Sequence, residues 1–189
     1  MMQTKENTRN TTIISTKSIT VVAMFTAVLA VMAQISIPMP SGVPVTLQTF
    51  AVALTGIVLS WKKGTLSVLI YIILGVIGVP VFSNLSAGIA IIAGKTGGFI
   101  WGFLFLAALC GVGIKMKNMV IGTLLGLTGL VICHFLGVLQ FSILAGMGIA
   151  ETAILVSVPY LLKDLISVIL AYILGKEIRK RLIRADLLS

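Results

Sequence analysis

The amino-acid sequence predicts an all-α membrane protein: a bundle of six transmembrane helices with both termini cytoplasmic and a pocket facing outward under an outer loop. Three observations carry this. The 189 residues are 58% hydrophobic and only 10% charged, too apolar for a water-soluble domain. Six apolar runs approach the 17 to 25 residues that span a bilayer, at roughly 18–37, 45–60, 65–80, 97–114, 119–141 and 153–174. Basic residues alternate with these runs: Lys5, Arg9 and Lys17; Lys62 and Lys63; Lys115 and Lys117; and Lys176, Arg179, Lys180, Arg181 and Arg184. With the N-terminus inside, all of these are cytoplasmic, as the positive-inside rule requires. Only Lys95 falls in an outer loop, and Lys163 is embedded. An odd number of helices would put the basic C-terminus on the wrong face. The chain thus divides into a cytoplasmic segment (1–17), a transmembrane domain (18–175) and a basic cytoplasmic tail (176–189).

The net charge of +9 is explained by this topology. No basic and aromatic residues interleave on a polar face, which argues against nucleic-acid binding. Cys110 and Cys133 lie in apolar runs without metal-ligand or CxxC spacing, so both read as packing residues. The polar residues 1–17 lead into the first apolar run without a convincing cleavage site, so the first helix is expected to be retained.

The first helix carries a band of small residues, Ala23, Ala27, Ala30 and Ala33. Such a band either packs inside the bundle or lets a partner helix approach closely. A charge-free loop rich in proline follows, Pro38 to Pro44, restricted in conformation and suited to capping a pocket. Thr46, Gln48 and Thr49 then open the second helix at the outer boundary. Gln48 can donate and accept, which suits either a polar uncharged ligand group or an interhelical hydrogen bond. The second and third runs are short for a full span.

The third run holds Tyr71, Gly75 and Gly78 and ends at Pro80. From Val81 to Gly98 the connection has an apolar middle, Ile89 to Ala93, and reads as a lid folded over the outer helix ends. Gly88 to Thr96 imitates a nucleotide-binding P-loop. However, five residues separate Gly88 from Gly94, where that motif has four, so nucleotide binding is not expected. In the fifth run Gly122, Gly126 and Gly129 predict tight helix contact. His134 is the only histidine, and a lone histidine in an apolar helix reads first as a packing residue. No paired carboxylates, Ser/His/Asp order or metal cluster points to an enzyme.

The last run contains Pro159-Tyr160-Leu161-Leu162-Lys163-Asp164, the one place where formal charges enter an apolar segment. An ionisable group costs about 2.5 to 3.5 kcal/mol at the centre of a membrane helix, so it faces a partner, cavity or ligand. Adjacent residues point about 100° apart, which predicts Asp164 inward and Lys163 elsewhere. An intramembrane ion pair near the interface is the alternative.

Pro44 to Thr49, Tyr71 with Leu74 to Phe82, Gly94 to Phe99, and Pro159-Tyr160 with Asp164 together resemble the BioY family, over about residues 18 to 175. These are biotin-binding S components of energy-coupling factor (ECF) transporters. The resemblance implies a multi-pass cell-membrane subunit that captures biotin outside and docks on a membrane coupling subunit driven by two cytoplasmic ATPases. It assigns Ala23 and Ala27 to that docking, and it makes biotin a transported ligand with no cofactor needed. The ureido ring offers two N–H donors and a carbonyl. Asp164 would accept from the ring, and Asn84, Gln48 or Tyr160 would donate to its carbonyl. Tyr71 and Phe82 would contact the apolar parts, and the tail carboxylate would sit near Thr96, Gly97 and Gly98 or near a lysine.

The chain departs from the family pattern in two ways. Lys95 stands where the family commonly has proline. Lys163 and Ser167 stand where it commonly has glycine before the aspartate and lysine three residues after it. Either the lysine has moved along the helix and kept its role, or Lys163 faces elsewhere. An S component for another vitamin, and a self-contained proton-coupled carrier using Asp164 and His134, are the competing readings.

Overall fold

The computed structural model describes residues 16–188, so Lys5, Arg9 and most of the expected N-terminal segment lie outside the described residues. Helix α1 (Thr16–Gln34) leads into a small antiparallel pair, β1 (Ser36–Ile37) and β2 (Val45–Thr46), which brackets the proline-rich loop. Next come α2 (Gln48–Val76), the short α3 (Ile89–Ala93), α4 (Gly97–Gly113), α5 (Met119–Ala145), α6 (Ile149–Val156) and α7 (Val158–Arg184). Four of these, α1, α2, α5 and α7, are long and apolar enough to cross a membrane, and α4 is a shorter apolar helix.

Helix α2 is not one rod. At Ser60 the backbone leaves helical geometry (φ 65, ψ 171). A Cβ on Gly64 would come within 2.8 Å of the Gly56 Cα, and Gln48 Nε2 donates to the Tyr71 hydroxyl at 2.7 Å. Residues 23 apart on a straight helix would lie roughly 34 Å apart, so the chain reverses at Ser60 into a helical hairpin. The reversal falls beside Lys62 and Lys63, where two charges interrupt the apolar run. Its arms, 48–59 and 61–76, correspond to the second and third expected runs.

Other boundaries moved for local reasons. The second arm stops at Val76, ahead of Gly78 (φ 105) and Pro80, not at Pro80 itself. Helix α5 continues to Ala145, where Gly146 takes the left-handed conformation that ends it. The sixth run is broken at Ser157 (φ −121, ψ −56) into α6 and α7. The expected tail boundary at residue 176 is one of composition only, since α7 continues helically through Lys176 to Arg184. In the lid connection, a short 3-10 turn (Ser83–Leu85) precedes α3.

The α5 glycines make the close contacts expected of them. A Cβ on Gly122 would strike the Gly113 carbonyl at 2.5 Å, one on Gly126 would press on Tyr172, and one on Gly129 would sit 2.9 Å from the Leu106 Cα. Along α1, Ala33 is fully buried while Ala23 and Ala27 lie on the exposed face, so the small-residue band divides between core and surface.

Side-chain ties sort the two ends of the bundle. Arg179 donates to the Val58 carbonyl at 2.6 Å, Ser60 to Gly111 at 3.3 Å, and Lys17 pairs with Asp186. These gather the start of α1, the α2 reversal and the ends of α4 and α7 with their basic residues. The proline-rich loop and the lid connection lie at the opposite end, and there the site is built.

Candidate functional site

The first turns of α7 bring Tyr160, Lys163 and Asp164 to that end. Pro159 occupies the start of the helix, where its missing N–H costs nothing. Tyr160 donates to the Val43 carbonyl at 2.5 Å and meets Ser41 Oγ at 2.7 Å, fastening the proline-rich loop. Its single hydroxyl hydrogen is thereby used within the protein. Lys163 donates to the Thr46 carbonyl at 2.8 Å.

Asp164 is 5% exposed. Its Oδ2 lies 3.2 Å from His134 Nε2 on α5, and His134 Nδ1 lies 2.8 Å from Ser157 Oγ at the α6–α7 break. Its Oδ1 lies 2.5 Å from Lys163 Nζ, a charge-assisted ion pair. An ionised carboxylate has about four lone-pair sites across its two oxygens, so Oδ1 can accept from a ligand N–H as well as from Lys163.

The neighbouring charges therefore do not diverge as their 100° separation predicts. The flexible stem of Lys163 carries its ammonium back beside the carboxylate, and both residues line one cavity of about 250 Å³. Ser167 is buried and does not line it. The volume falls near the lower end, about 300 Å³, of small-molecule sites.

Of the other expected site residues, Gln48, Phe82, Asn84, Tyr160 and Thr96 also line this cavity. Gln48 is held on both sides: its Nε2 donates to Tyr71 and its Oε1 accepts from Thr46 Oγ1 at 3.0 Å. Asn84 takes a left-handed backbone (φ 57) that asparagine tolerates, and its Oδ1 accepts from Ser36 Oγ at 2.6 Å. Its amide N–H groups donate to nothing among the described residues.

Tyr71, Gly97 and Gly98 are not on the cavity wall. Tyr71 stands behind it, orienting Gln48 and packing edge-on against Phe82 with ring centroids 5.5 Å apart. A side chain on Gly97 would collide with the Ile92 carbonyl, and one on Gly98 with that of Leu136, so these glycines serve helix packing. Lys95 sits over the Phe141 ring at 5.6 Å, away from the cavity.

The apolar wall includes Phe99, Ile100 and Phe103 on α4, with Phe82 opposite in the chain order. Position alone in an apolar helix gave no reason to choose them. His134 also lines the cavity, where a plain packing residue was expected, and Ser157 was not anticipated. Their signal was present as polar residues within apolar runs, but the partners are 23 and 30 residues away. Ser157, His134 and Asp164 have the membership of a hydrolytic triad. Ser157, however, is buried behind His134 and does not line the cavity, so no substrate there could meet its hydroxyl.

The lid connection is stitched down from two sides. Gln34 donates to the Val81 and Phe82 carbonyls at 3.2 and 3.1 Å and accepts from the Leu85 N–H at 2.9 Å. Gln140 donates to the Ile92 and Gly94 carbonyls at 2.9 and 2.7 Å. Gln34 thereby ties the loop backbone to α1, and Gln140 ties it to α5.

The model of the BioY family matches residues 2–184. The probable biotin transporter BioY of Pyrococcus horikoshii is 37% identical over 163 residues, covering 86% of this chain and 96% of its own. The biotin transporter BioY of Thermotoga maritima is 37% identical over 158 residues, covering 83% and 92%. Among solved structures, the S-component for biotin from an ECF-type ABC transporter superposes with a TM-score of 0.79 at 27% identity, covering 87% of this chain and 91% of that one.

Proposed function

Because this chain belongs to the BioY family, we propose that it is the substrate-capture subunit of an ECF-type transporter, taking biotin from outside the cell. The observation that carries this is the Asp164 carboxylate, buried and paired through Oδ1 with Lys163, on the wall of a cavity of about 250 Å³. A cyclic urea presents an N–H next to a carbonyl. Asp164 accepts from that N–H, and the Lys163 ammonium or the Asn84 amide donates to the carbonyl. Gln48, held by Tyr71 and Thr46, offers its remaining amide hydrogen. Phe82 and the α4 aromatics Phe99 and Phe103 cover the fused ring and aliphatic chain, with the tail carboxylate near Thr96. Lys163 so takes the part that the family commonly gives to a lysine where this chain has Ser167.

The proposal extends to topology. The two arms of α2 count as separate short passes, giving six, and the basic end faces the cytoplasm of the plasma membrane. Ala23 and Ala27, exposed on α1, meet the membrane coupling subunit, and two cytoplasmic ATPases supply the energy. The relatives are transporters, and the protein is not an enzyme: biotin enters as cargo, and no cofactor takes part.

The test is uptake of labelled biotin by cells lacking their own biotin transporter. The chain expressed with its coupling subunit and ATPases should accumulate biotin, and ATPase-dead partners should abolish accumulation. Equal uptake with and without working ATPases would instead favour a self-contained carrier.

A further inference from the structure

His134 has no part in the reading above, yet it is buried on the cavity wall with both ring nitrogens engaged. The donor directions follow from the partners. The Asp164 carboxylate has no hydrogen to give, so Nε2 carries the hydrogen and donates to Oδ2. In the neutral ring Nδ1 is then bare and takes the hydroxyl hydrogen of Ser157. The ring is also held edge-on to Phe99, centroids 5.8 Å apart. Three elements, α4, α7 and the α6–α7 break, therefore fix one imidazole. Its effect falls on Asp164: with Oδ2 held by the ring, Oδ1 is the carboxylate oxygen turned to Lys163.

We propose that His134 is a positioning residue for ligand recognition: braced by Ser157 and Phe99, it clamps Asp164 Oδ2 and so fixes the direction in which Oδ1, with Lys163 beside it, meets the ligand's N–H. Without the clamp the carboxylate can turn and offer either oxygen to Lys163, so neither is held in one direction for the ligand. A preorganised acceptor also avoids an ordering cost on binding. The inference rests on the biotin reading, and the test separates the two.

Biotin is titrated into the detergent-purified wild-type chain and three variants. His134→Leu should weaken binding at least tenfold. His134→Gln, whose amide can still donate to Oδ2, should stay within threefold of wild type, and Ser157→Ala should fall between. Because the sequence contains a single histidine, nitrogen-15 spectra of the imidazole in the untagged protein are unambiguous. They should show a hydrogen on Nε2. No biotin binding by the folded wild type would overturn the biotin reading, and this inference with it. Tight wild-type binding that His134→Leu leaves unchanged, or that His134→Gln loses as fully as His134→Leu, would overturn this inference alone. So would a ring whose Nε2 carries no hydrogen, a result that stands even where the leucine variant does not fold.

Discussion

Tyr160 and Asp164 stand one helical turn apart on α7 and do different work. Tyr160 spends its hydroxyl hydrogen on the Val43 carbonyl, holding the proline-rich loop against the cavity, while Asp164 pairs with His134 and Lys163. Tyr160→Phe removes a tie worth about 1 kcal/mol while leaving the ring on the cavity wall. The expected outcome is a roughly fivefold faster dissociation of biotin with association little changed, read by stopped-flow displacement. Unchanged dissociation would mean that the loop is held by its own prolines. At this scale the sequence revealed Asp164 readily, since a carboxylate in an apolar run needs a reason to be there. It did not reveal that His134 is that reason's partner. A histidine among apolar residues looks the same whether it packs or donates, and only the fold brings it to Asp164. The glycines of the Thr96-Gly97-Gly98 stretch illustrate the converse. They belong to a recognisable motif beside the site, but their role is to let α4 touch Ile92 and Leu136.

Among the elements, α1 exposes Ala23 and Ala27 on one face and buries Val22, Phe25, Thr26 and Leu29 on the other. Thr26 and Ser67 share a buried hydrogen bond of 3.0 Å that fixes α1 against the second arm of α2. The outward face can therefore change without disturbing the cavity. Ala27→Leu should leave biotin affinity within twofold and cut ATP-driven uptake at least tenfold, measured on the same preparation before and after co-expression with the coupling subunit. Loss of both would place Ala27 in the fold instead. The length of the apolar runs marked where the long helices lie, because a helix must cover its own backbone in lipid whatever its neighbours are. It could not distinguish a break from a boundary. The reversal at Ser60 and the junction at Ser157 are single residues in unusual backbone conformations, set by what packs on either side.

For the molecule as a whole, the sorting of its ends allows a direct check of sidedness. Cys110 and Cys133 are buried, so an added cysteine reports its own position. In intact cells a membrane-impermeant maleimide should label Asn84→Cys and spare Lys62→Cys, with both labelled after permeabilisation. The reverse pattern would invert the topology. The basic residues made the two ends legible in the sequence, since their placement answers to the membrane and not to the details of packing. The cavity was legible only as a convergence of polar residues at one depth. Its walls depend on the lid connection, which Gln34 and Gln140 tie down through backbone carbonyls that no side-chain pattern announces. The central claim is that Asp164 in this cavity recognises biotin. The measurement that reaches it most directly is a calorimetric titration of biotin into the purified chain beside Asp164→Asn, which swaps an acceptor oxygen for a donor amide. The account predicts saturable binding at one site in the wild type, weakened at least tenfold, about 1.4 kcal/mol, in the variant. Equal affinity in the two folded proteins would contradict it, leaving Asp164 as a structural charge paired with Lys163.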